Sequence, residues 1–292
     1  MSLYLSSFFF PPAALEESFI MNKAITSFDQ SAYPFGVLPH CGLEEIFFRP
    51  LTILYGGNGS GKSTVLNVIA EKLSLKRYST YNRSRFFEDY TGMCRFSEEE
   101  PIPPESRIIT SDDVFDMILD IRALNEGIDN RRTYLYESYS QLRREHFQLR
   151  SLDDLEHLHL VNQARANSRG VFIRKETSKS VKERSNGENG LMYFRMTIKP
   201  DTLCLLDEPE NSLSPENQEI LADYLIKSVR YCGNQLVIST HSPFLLAMPG
   251  AKIIDLDNHA RIVDSWTELK NPRKYFDFFR LHEAEFTGEA LG

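Results

Sequence analysis

A glycine-rich segment at residues 56–64, GGNGSGKST, constrains the fold of this chain more than any other part of its sequence. It matches the pattern G-x-x-x-x-G-K-[ST], follows an apolar run at 51–55 and precedes helically spaced apolar residues at 65–70. A buried strand, a glycine-rich turn and a helix N-terminus in this order direct backbone N–H groups and the helix dipole toward one point. The segment therefore predicts a strand–loop–helix unit that binds the phosphates of a nucleoside triphosphate.

The side chains of this loop have separate predicted roles. Lys62 would contact the β- and γ-phosphates, and the Ser63 hydroxyl would be a ligand of Mg²⁺. A nucleoside triphosphate with Mg²⁺ is thus the predicted ligand. The expected nucleotide-binding residues of the loop are Gly57, Asn58, Gly59, Ser60, Gly61, Lys62, Ser63 and Thr64.

The composition narrows the functional classes. With 292 residues, 41% hydrophobic and 25% charged, the chain can bury a substantial core. A formal net charge of −8 argues against a chain adapted overall to coat nucleic acid, but residues 165–184 carry a local charge of +5. That segment is either a binding surface or an ordinary solvated face. The four cysteines have no metal-binding spacing, and no run approaches the ~20 apolar residues that span a bilayer, so we expect a cytoplasmic protein without membrane insertion.

Strand-like and helical segments alternate along most of the chain. Apolar runs at 107–110, 203–206 and 235–239 are separated by segments with helical spacing. This indicates an α/β fold with a mostly parallel core sheet and loops gathered at its carboxyl edge. Residues 1–50 contain short extended pieces typical of an antiparallel layer. Residues 77–105 indicate either a loop-rich edge held by aromatic anchors or a polar-aromatic binding surface.

The predicted organisation is one discontinuous lobe with an inserted helical part. Residues 1–110 and 190–292 would form a nucleotide-binding lobe, and residues 111–189 a helical subdomain or short arm. Further along the chain, 253–256 and 261–263 are expected to be edge strands. The aromatic residues that follow are expected to pack back on the body of the protein: Trp266, Tyr275, Phe276, Phe278 and Phe279.

A second strand end carries two adjacent carboxylates. The apolar residues 203–206 are followed by Asp207 and Glu208. Beside a phosphate-binding loop, this order predicts that Asp207 holds Mg²⁺ through water and that Glu208 orients and deprotonates the attacking water. The alternative is a solvated strand end without a catalytic role.

Taken together, these segments resemble the ABC-type ATPases, and within them the soluble heads of the SMC, Rad50, RecF and OLD groups. Residues 56–64 are similar to the Walker A motif, 207–211 (DEPEN) to Walker B, and 239–243 (STHSP) to the H-loop. The resemblance implies an ABC-type ATPase head with ATP and Mg²⁺ as ligands. It also implies that His241 senses the γ-phosphate and acts with Glu208 and Lys62 in catalysis.

Residues 185–188, Ser-Asn-Gly-Glu, resemble the S-x-G-E variant of the family's signature motif, which would end the helical subdomain. The resemblance implies that the Ser185 hydroxyl and the Gly187 N–H contact the γ-phosphate held by a second subunit. Two ATP molecules would then lie between two heads. A helix beginning near Glu188 would direct its positive end toward that phosphate.

The chain departs from the family pattern after the strand at 107–110. Relatives have a Gln there that touches Mg²⁺ and the attacking water, whereas this chain has Ser111, Asp112 and Asp113. Either Ser111 or Asp112 replaces the Gln, which makes Asp112 a candidate metal ligand, or these residues cap the next helix. Tyr33 or Phe35 would stack on adenine; core packing is the alternative for both.

Three functional classes follow from the resemblance. The first is an ATP hydrolase that dimerises head-to-head on ATP and couples this cycle to nucleic acid or to a protein effector, a type found in bacterial defence modules. The second is an ATP-controlled binding or assembly module with little hydrolysis, which the missing Gln favours. The third is the ATPase subunit of a transporter, which the DEPE and THSP forms disfavour. A homodimer or a larger homo-oligomer is the expected assembly.

Overall fold

The computed structural model has an α/β fold, as predicted. Its contacts divide the chain into two compact units, one of residues 1–114 and 186–292 and the other of residues 115–185. The predicted domain boundaries themselves stay a prediction. The residues described are 2–23, 32–145, 155–177, 186–211 and 213–287.

The core sheet has six strands in the order β5-β6-β7-β3-β8-β9 and is parallel except between β8 and β9. This confirms the mostly parallel core sheet. Strands β3 and β7 are buried along their whole length, as parallel strands covered on both faces must be. The strands are β1 (Leu5–Phe9), β2 (Glu45–Phe47), β3 (Leu51–Tyr55), β4 (Arg95–Glu98), β5 (Arg107–Thr110), β6 (Leu203–Asp207), β7 (Gln235–Ser239), β8 (Lys252–Asp255) and β9 (Arg261–Val263).

Of the two strands predicted at the sheet edge, only β9 lies there. Strand β8 pairs with β3 on one side and with β9 on the other. Its two central residues, Ile253 and Ile254, are both buried although they face opposite sides of the sheet. The prediction for β8 was wrong because two isoleucines between charged residues are too short a run to indicate burial on both faces.

The helices connect these strands and extend beyond them. The last strand is followed by a 3-10 turn (Trp266–Glu268) and two helices, α10 and α11. The helices are α1 (Ala13–Asn22), α2 (Lys62–Lys72), α3 (Phe87–Met93), α4 (Ser111–Arg144), α5 (Leu155–Ala166), α6 (Arg169–Glu176), α7 (Asn186–Thr197), α8 (Pro215–Tyr231), α9 (Pro243–Leu246), α10 (Lys270–Leu281) and α11 (Glu283–Thr287).

A three-stranded antiparallel sheet, in the order β2-β1-β4, forms the N-terminal layer. Two elements of this region were missed from sequence. All four residues of β4 are exposed, so it shows no apolar alternation. Helix α1 buries Glu16, whose carboxylate accepts hydrogen bonds from the Gly36 N–H (2.7 Å) and the Tyr90 hydroxyl (3.0 Å). A buried acid interrupts the apolar spacing by which a helix is recognised.

Helix α2 packs in one core with both sheets. A buried amide also joins the two sheets: Gln235 in β7 accepts hydrogen bonds from the N–H groups of Tyr4 and Leu5 (both 2.8 Å) and donates one to the Leu5 carbonyl (2.7 Å). The start of α2 is therefore held by its packing against both sheets. The shared core includes Val65, Leu66, Val68 and Ile69 of α2, Phe8 and Ile46 of the N-terminal layer, and Leu54 and Leu205 of the core sheet.

The unit of residues 115–185 has a small hydrophobic core of its own. Its described part is entirely helical and consists of α5, α6 and most of α4. The buried residues of that core are Leu135, Tyr139, Leu142, Leu160, Val161, Ala164 and Phe172.

Apart from Trp266, which is half-buried, the aromatic residues of the tail do not pack back on the body as expected. The start of α10 is anchored, because Leu269 and Pro272 are buried and the Asn271 N–H donates a hydrogen bond to the Tyr55 hydroxyl (3.0 Å). The aromatic side chains beyond it are exposed: Tyr275, Phe276, Phe278 and Phe279. The prediction was wrong because it equated a high content of apolar residues with burial. No helix within the described residues combines the length and apolar character needed to cross a bilayer.

Candidate nucleotide-binding and catalytic site

The glycine-rich loop connects the end of β3 to the start of α2, as the pattern predicts. Gly59 and Gly61 have left-handed backbone conformations, with φ of +79° and +91°. A Cβ at Gly56 would lie 2.3 Å from Ser60 Oγ. Side chains at these positions would strain or block the turn, so the glycines account for its tight shape.

Lys62 is the first residue of α2 and is buried. Its ammonium group donates hydrogen bonds to the carbonyls of Gly56 (2.8 Å) and Gly57 (2.9 Å) and lies 3.4 Å from Glu208 Oε1. The charge of Lys62 is thus directed into the loop by backbone dipoles and by a carboxylate. The structure brings this predicted phosphate contact next to the predicted general base.

Asp207 at the end of β6 faces the start of α2. Its Oδ1 accepts hydrogen bonds from the hydroxyls of Ser63 (3.1 Å) and Ser239 (2.5 Å). Burial raises the pKa of Asp207, and these hydrogen bonds lower it again in part. Adjacent hydroxyl and carboxylate oxygens are the donor set that Mg²⁺ prefers, so Ser63 and Asp207 fit the predicted metal.

Glu208 follows in a left-handed backbone conformation, with φ of +46°. Its N–H donates to both the carbonyl and the hydroxyl of Ser239 (3.0 Å each), which offsets a strain of about 1–2 kcal/mol. The Asn211 amide donates to Glu208 Oε2 (3.2 Å). The other oxygen, Oε1, lies 3.8 Å from His241 Nδ1. The carboxylate is therefore fixed between Lys62 and His241.

Glu210 is a site residue that sequence reasoning did not single out. It is buried, and its Oε1 accepts hydrogen bonds from the Thr240 hydroxyl (2.5 Å) and from the N–H groups of His241 (3.0 Å) and Ser242 (3.2 Å). Burial raises the pKa of this carboxyl, and the hydrogen bonds oppose the rise. Its position in the DEPEN segment was the available signal. Glu210 holds the turn after β7 and so positions His241.

Asp257 was also missed, and no local signal could have found it. Its Oδ2 accepts a hydrogen bond from the Gly57 N–H (2.9 Å) across 200 positions of sequence. Asp257 lies in the 3-10 turn Leu256–Asn258 after β8, the strand that pairs with β3. Pairing of these two strands thus brings a carboxylate to the start of the phosphate-binding loop.

The residues at the place of the missing Gln have different surroundings. Thr110 and Asp113 form a capping box for α4: the Thr110 N–H donates to Asp113 Oδ2 (2.7 Å), and the Asp113 N–H donates to Thr110 Oγ1 (3.4 Å). Asp112 is exposed in the first helical turn. Thr110 is the register partner of Asp207, so α4 begins at the same sheet edge. Metal binding by Asp112 stays a prediction; no group of three or more His, Cys, Asp or Glu side chains suited to a metal occurs in the described ranges.

The two signature residues differ in what the structure describes. Ser185 lies outside the described residues. Gly187 is in the first turn of α7, where a Cβ would lie 2.3 Å from Asn217 Nδ2 of α8. Glycine therefore permits close approach of these two helices. The three atoms nearest that Cβ position all belong to Asn217.

The two residues predicted to stack on adenine have different surroundings. Phe35 is buried and stacks on Phe19, with ring centroids 4.7 Å apart. Tyr33 instead lines a cavity of about 370 Å³ beside the phosphate-binding loop, together with Lys62 and Glu208. The Tyr33 hydroxyl donates to Thr64 Oγ1 (3.2 Å), and burial raises its pKa. Only Tyr33 of the pair is positioned at the candidate site.

Comparisons with known proteins match one segment of the chain to a family and most of the chain to one relative. Residues 191–247, which contain Asp207, Glu208 and His241, match the family described as "AAA domain, putative AbiEii toxin, Type IV TA system". The "Probable ABC transporter ATP-binding protein p29" of Mycoplasma genitalium is 25% identical over 267 residues, covering 88% of this chain and 98% of that protein. The "ATP-binding protein Uup-like" of Haemophilus influenzae is 36% identical over 76 residues, covering 26% of this chain and 16% of that protein.

Two similar solved structures are dimers of one bacterial-type cassette. One is the "Dimeric structure of a post-hydrolysis state of the ATP-binding cassette MJ0796 bound to ADP and Pi", with 15% identity, a TM-score of 0.35, and coverage of 76% of this chain and 90% of that chain. The other is the "Dimeric Structure of MJ0796, a Bacterial ABC Transporter Cassette", with 17% identity, a TM-score of 0.34, and coverage of 74% and 87%.

Proposed function

We propose, from the ABC-type ATPase nucleotide-binding domain that the sequence matches support, that this chain hydrolyses ATP in a head-to-head dimer. The observation that carries the proposal is the convergence of five groups at one edge of the core sheet: Lys62, Ser63, Asp207, Glu208 and His241. Affiliation with the SMC and Rad50 branch is part of the proposal.

The geometry gives each group a role in phosphoryl transfer to water. Lys62 exchanges the carbonyls of Gly56 and Gly57 for oxygens of the β- and γ-phosphates when nucleotide binds. Mg²⁺ at Ser63 and Asp207 would neutralise charge on those phosphates. Backbone N–H groups of the loop and the start of α2 bind the remaining phosphate oxygens.

Glu208 is the group that activates water. Its Oε2 is fixed by Asn211 and its Oε1 points toward Lys62 and His241. The carboxylate accepts the proton of the water whose oxygen attacks the γ-phosphorus, while the bond from that phosphorus to the bridging oxygen breaks and ADP leaves. His241 contacts the γ-phosphate, and its backbone is held for this by Glu210.

A second copy of the chain completes the site in this proposal. Gly187 lies in the first turn of α7, where the positive end of the helix dipole favours an anion. In the arrangement that the resemblance to ABC-type ATPases implies, the Gly187 N–H contacts the γ-phosphate held by the other subunit. Ser185 would act beside it.

Coupling to a partner is the least specified step. The family description names a toxin of a toxin–antitoxin system, which supports a setting in bacterial defence. The basic segment 165–184, of which 178–184 lie outside the described residues, is the candidate surface for nucleic acid or an acidic effector. Three of its described basic residues already have internal partners: Lys175 donates to Asn167 Oδ1 (3.0 Å), Arg169 lies over the Tyr136 ring (4.7 Å), and Arg165 donates to the Glu145 carbonyl. We propose a cytoplasmic protein that acts on an effector or on nucleic acid through this segment.

Steady-state ATP turnover of Glu208→Gln tests the proposal. Loss of the general base should lower turnover by about 10²–10⁴-fold, while binding of ATP is retained. Glu219→Gln, an exposed change on α8, is the matched control and should leave turnover unchanged. Equal turnover in the wild type and in Glu208→Gln would refute the assignment.

A second candidate, an ATP-controlled assembly module with little hydrolysis, is favoured by the capping box at Thr110 and Asp113. That box occupies the place where relatives supply the Gln that contacts water. It predicts that ATP with Mg²⁺ changes the sedimentation of the protein while turnover stays at background. A transporter subunit is a third candidate because of the name of the Mycoplasma genitalium relative; co-purification with a membrane protein would favour it.

A further inference from the structure

Helices α10 and α11 expose an unusual number of aromatic side chains, which we call the aromatic surface. These side chains are 50–73% exposed, although the start of α10 is anchored on the body. On α10 they recur at three- and four-residue spacings, so they occupy one broad face of the helix. The aromatic surface consists of Tyr275, Phe276, Phe278, Phe279 and Phe286.

The area of this surface is typical of an interface. Aromatic side chains of ~150–250 Å² each, exposed to about this extent, present roughly 400–700 Å² of largely apolar surface. Contiguous patches above a few hundred Å² are rare on monomers and mark interaction sites. A stable interface buries about 800 Å² on each partner, so the aromatic surface would supply most of one.

The surface includes both a recess and protruding groups. A cavity of about 520 Å³ lies between α10 and α11 and is lined by Phe276, Phe279 and Phe286, with Arg280 and Glu283 also in its wall. Phe278, whose ring centroid lies 5.6 Å from that of Phe279 but which does not line the cavity, is 55% exposed. One copy can therefore offer a ring where another copy offers a slot, which is the condition for a self-complementary contact.

The charges along the segment select the orientation of the partner. Basic residues predominate at its start (Lys270, Arg273 and Lys274), whereas its end carries Glu283 and Glu285 together with Arg280, and Glu285 pairs with His282. Two copies related by a two-fold axis run antiparallel, so each basic end meets the acidic end of the other. In this arrangement Lys274 of one copy lies at the same end of the interface as Glu283 of the second copy. A parallel arrangement would set like charges together.

An anionic membrane surface fits the same segment less well. A membrane-binding helix has basic side chains along its whole polar face, which surround the apolar face. Here Glu283 and Glu285 flank the exposed Phe286, so the apolar end of the segment carries the repelling charge.

We propose that the aromatic surface is an isologous, antiparallel interface with a second copy of this chain, formed without nucleotide. It is independent of the proposed hydrolysis, because none of its residues belongs to the nucleotide site. It also differs from the head-to-head dimer, which depends on ATP. The chain would then self-associate in two ways: through the aromatic surface without nucleotide, and head-to-head when ATP is bound.

Sedimentation equilibrium of the full chain without nucleotide tests this interface. The wild type should sediment at twice the chain mass, and the double variant Phe276→Glu/Phe279→Glu should weaken association by about 30-fold or more, since buried aromatic anchors dominate interface energies. Phe115→Glu is the matched control: that phenylalanine is also on a helix and is 52% exposed, against 53% for Phe279. A monomeric wild type, or a double variant that associates like the wild type, overturns the proposal.

A charge exchange tests the antiparallel orientation and guards against loss of folding. Lys274→Glu and Glu283→Lys should each weaken association, and the double variant should restore it, because opposite charges then face each other again. Circular dichroism should show the same helix content in all variants. No restoration in the double variant overturns the antiparallel pairing. Binding of the wild type to phosphatidylserine vesicles as a monomer, abolished by Phe276→Glu/Phe279→Glu, would replace the second copy by a membrane.

Discussion

Glu210 holds the turn that carries His241, the proposed γ-phosphate contact, by accepting hydrogen bonds from that turn. The Oε1 atom of Glu210 accepts three hydrogen bonds from the turn after β7. The same turn is also bound to α8, because the Ser242 hydroxyl donates to Gln218 Oε1 (2.6 Å) and the Gln218 amide donates to the Leu213 carbonyl (2.9 Å). The backbone of His241 is thus tied to both β6 and α8.

Replacing Glu210 should therefore cost stability as well as activity. Glu210→Ala leaves the Thr240 hydroxyl and two N–H groups without their acceptor, and we expect the free energy of unfolding to fall by about 2–4 kcal/mol. Glu210→Gln keeps an acceptor oxygen and should lose less. Urea denaturation of both variants checks this. If Glu210→Ala were as stable as the wild type, the network would not hold the turn.

Glu16 gives a pH dependence of stability with a definite sign. Burial raises the pKa of this carboxyl above its unfolded value, against the opposing hydrogen bonds from Gly36 and Tyr90. Its contribution is fully present below about pH 4.3 and is lost as pH rises through the folded pKa. Relative to Glu16→Gln, the wild type should lose unfolding free energy over that range. Parallel curves of the two proteins against pH would contradict the raised pKa.

At the scale of elements, those that a contiguous sequence pattern indicates were predicted correctly, whereas those that depend on partners distant in sequence were not. The order of β3, loop and α2 follows from a contiguous pattern, and the carboxylates after β6 from a short apolar run. In contrast, β4 is exposed at every position, α1 is held by Glu16, and β8 is covered by strands distant in sequence. Their burial depends on partners that no local window contains.

The start of α4 separates a structural aspartate from a candidate metal ligand. Asp113 accepts the Thr110 N–H and the Ser79 N–H (2.8 Å), so Asp113→Ala should lower the free energy of unfolding by about 1–2 kcal/mol. Asp112 is exposed, and Asp112→Ala should change stability by less than about 0.5 kcal/mol.

The same pair tests the metal role of Asp112. If Asp112 replaces the family's Gln, Asp112→Ala should raise the Mg²⁺ concentration needed for half-maximal turnover while the unfolding curve stays unchanged. An unchanged Mg²⁺ requirement would leave the capping box as the feature of this turn and remove Asp112 from the site.

At the scale of the whole molecule, a site completed by a second copy makes activity depend on protein concentration. Lys62, Ser63 and Glu208 lie together in one chain, and the proposed head-to-head dimer would bring Gly187 of a second copy to them. Turnover should therefore follow the fraction of protein in the head-to-head dimer.

The aromatic surface complicates this measurement, because a dimer formed there would raise the local concentration of heads. The Phe276→Glu/Phe279→Glu variant removes that contribution and leaves the nucleotide site intact. In this variant, turnover per subunit should rise with protein concentration and then level off, and the rise should begin at lower concentration in the wild type. Turnover per subunit that is constant in the dilute, monomeric range would mean that one chain hydrolyses ATP alone, and Gly187 would then be a packing residue beside Asn217 rather than part of a shared site.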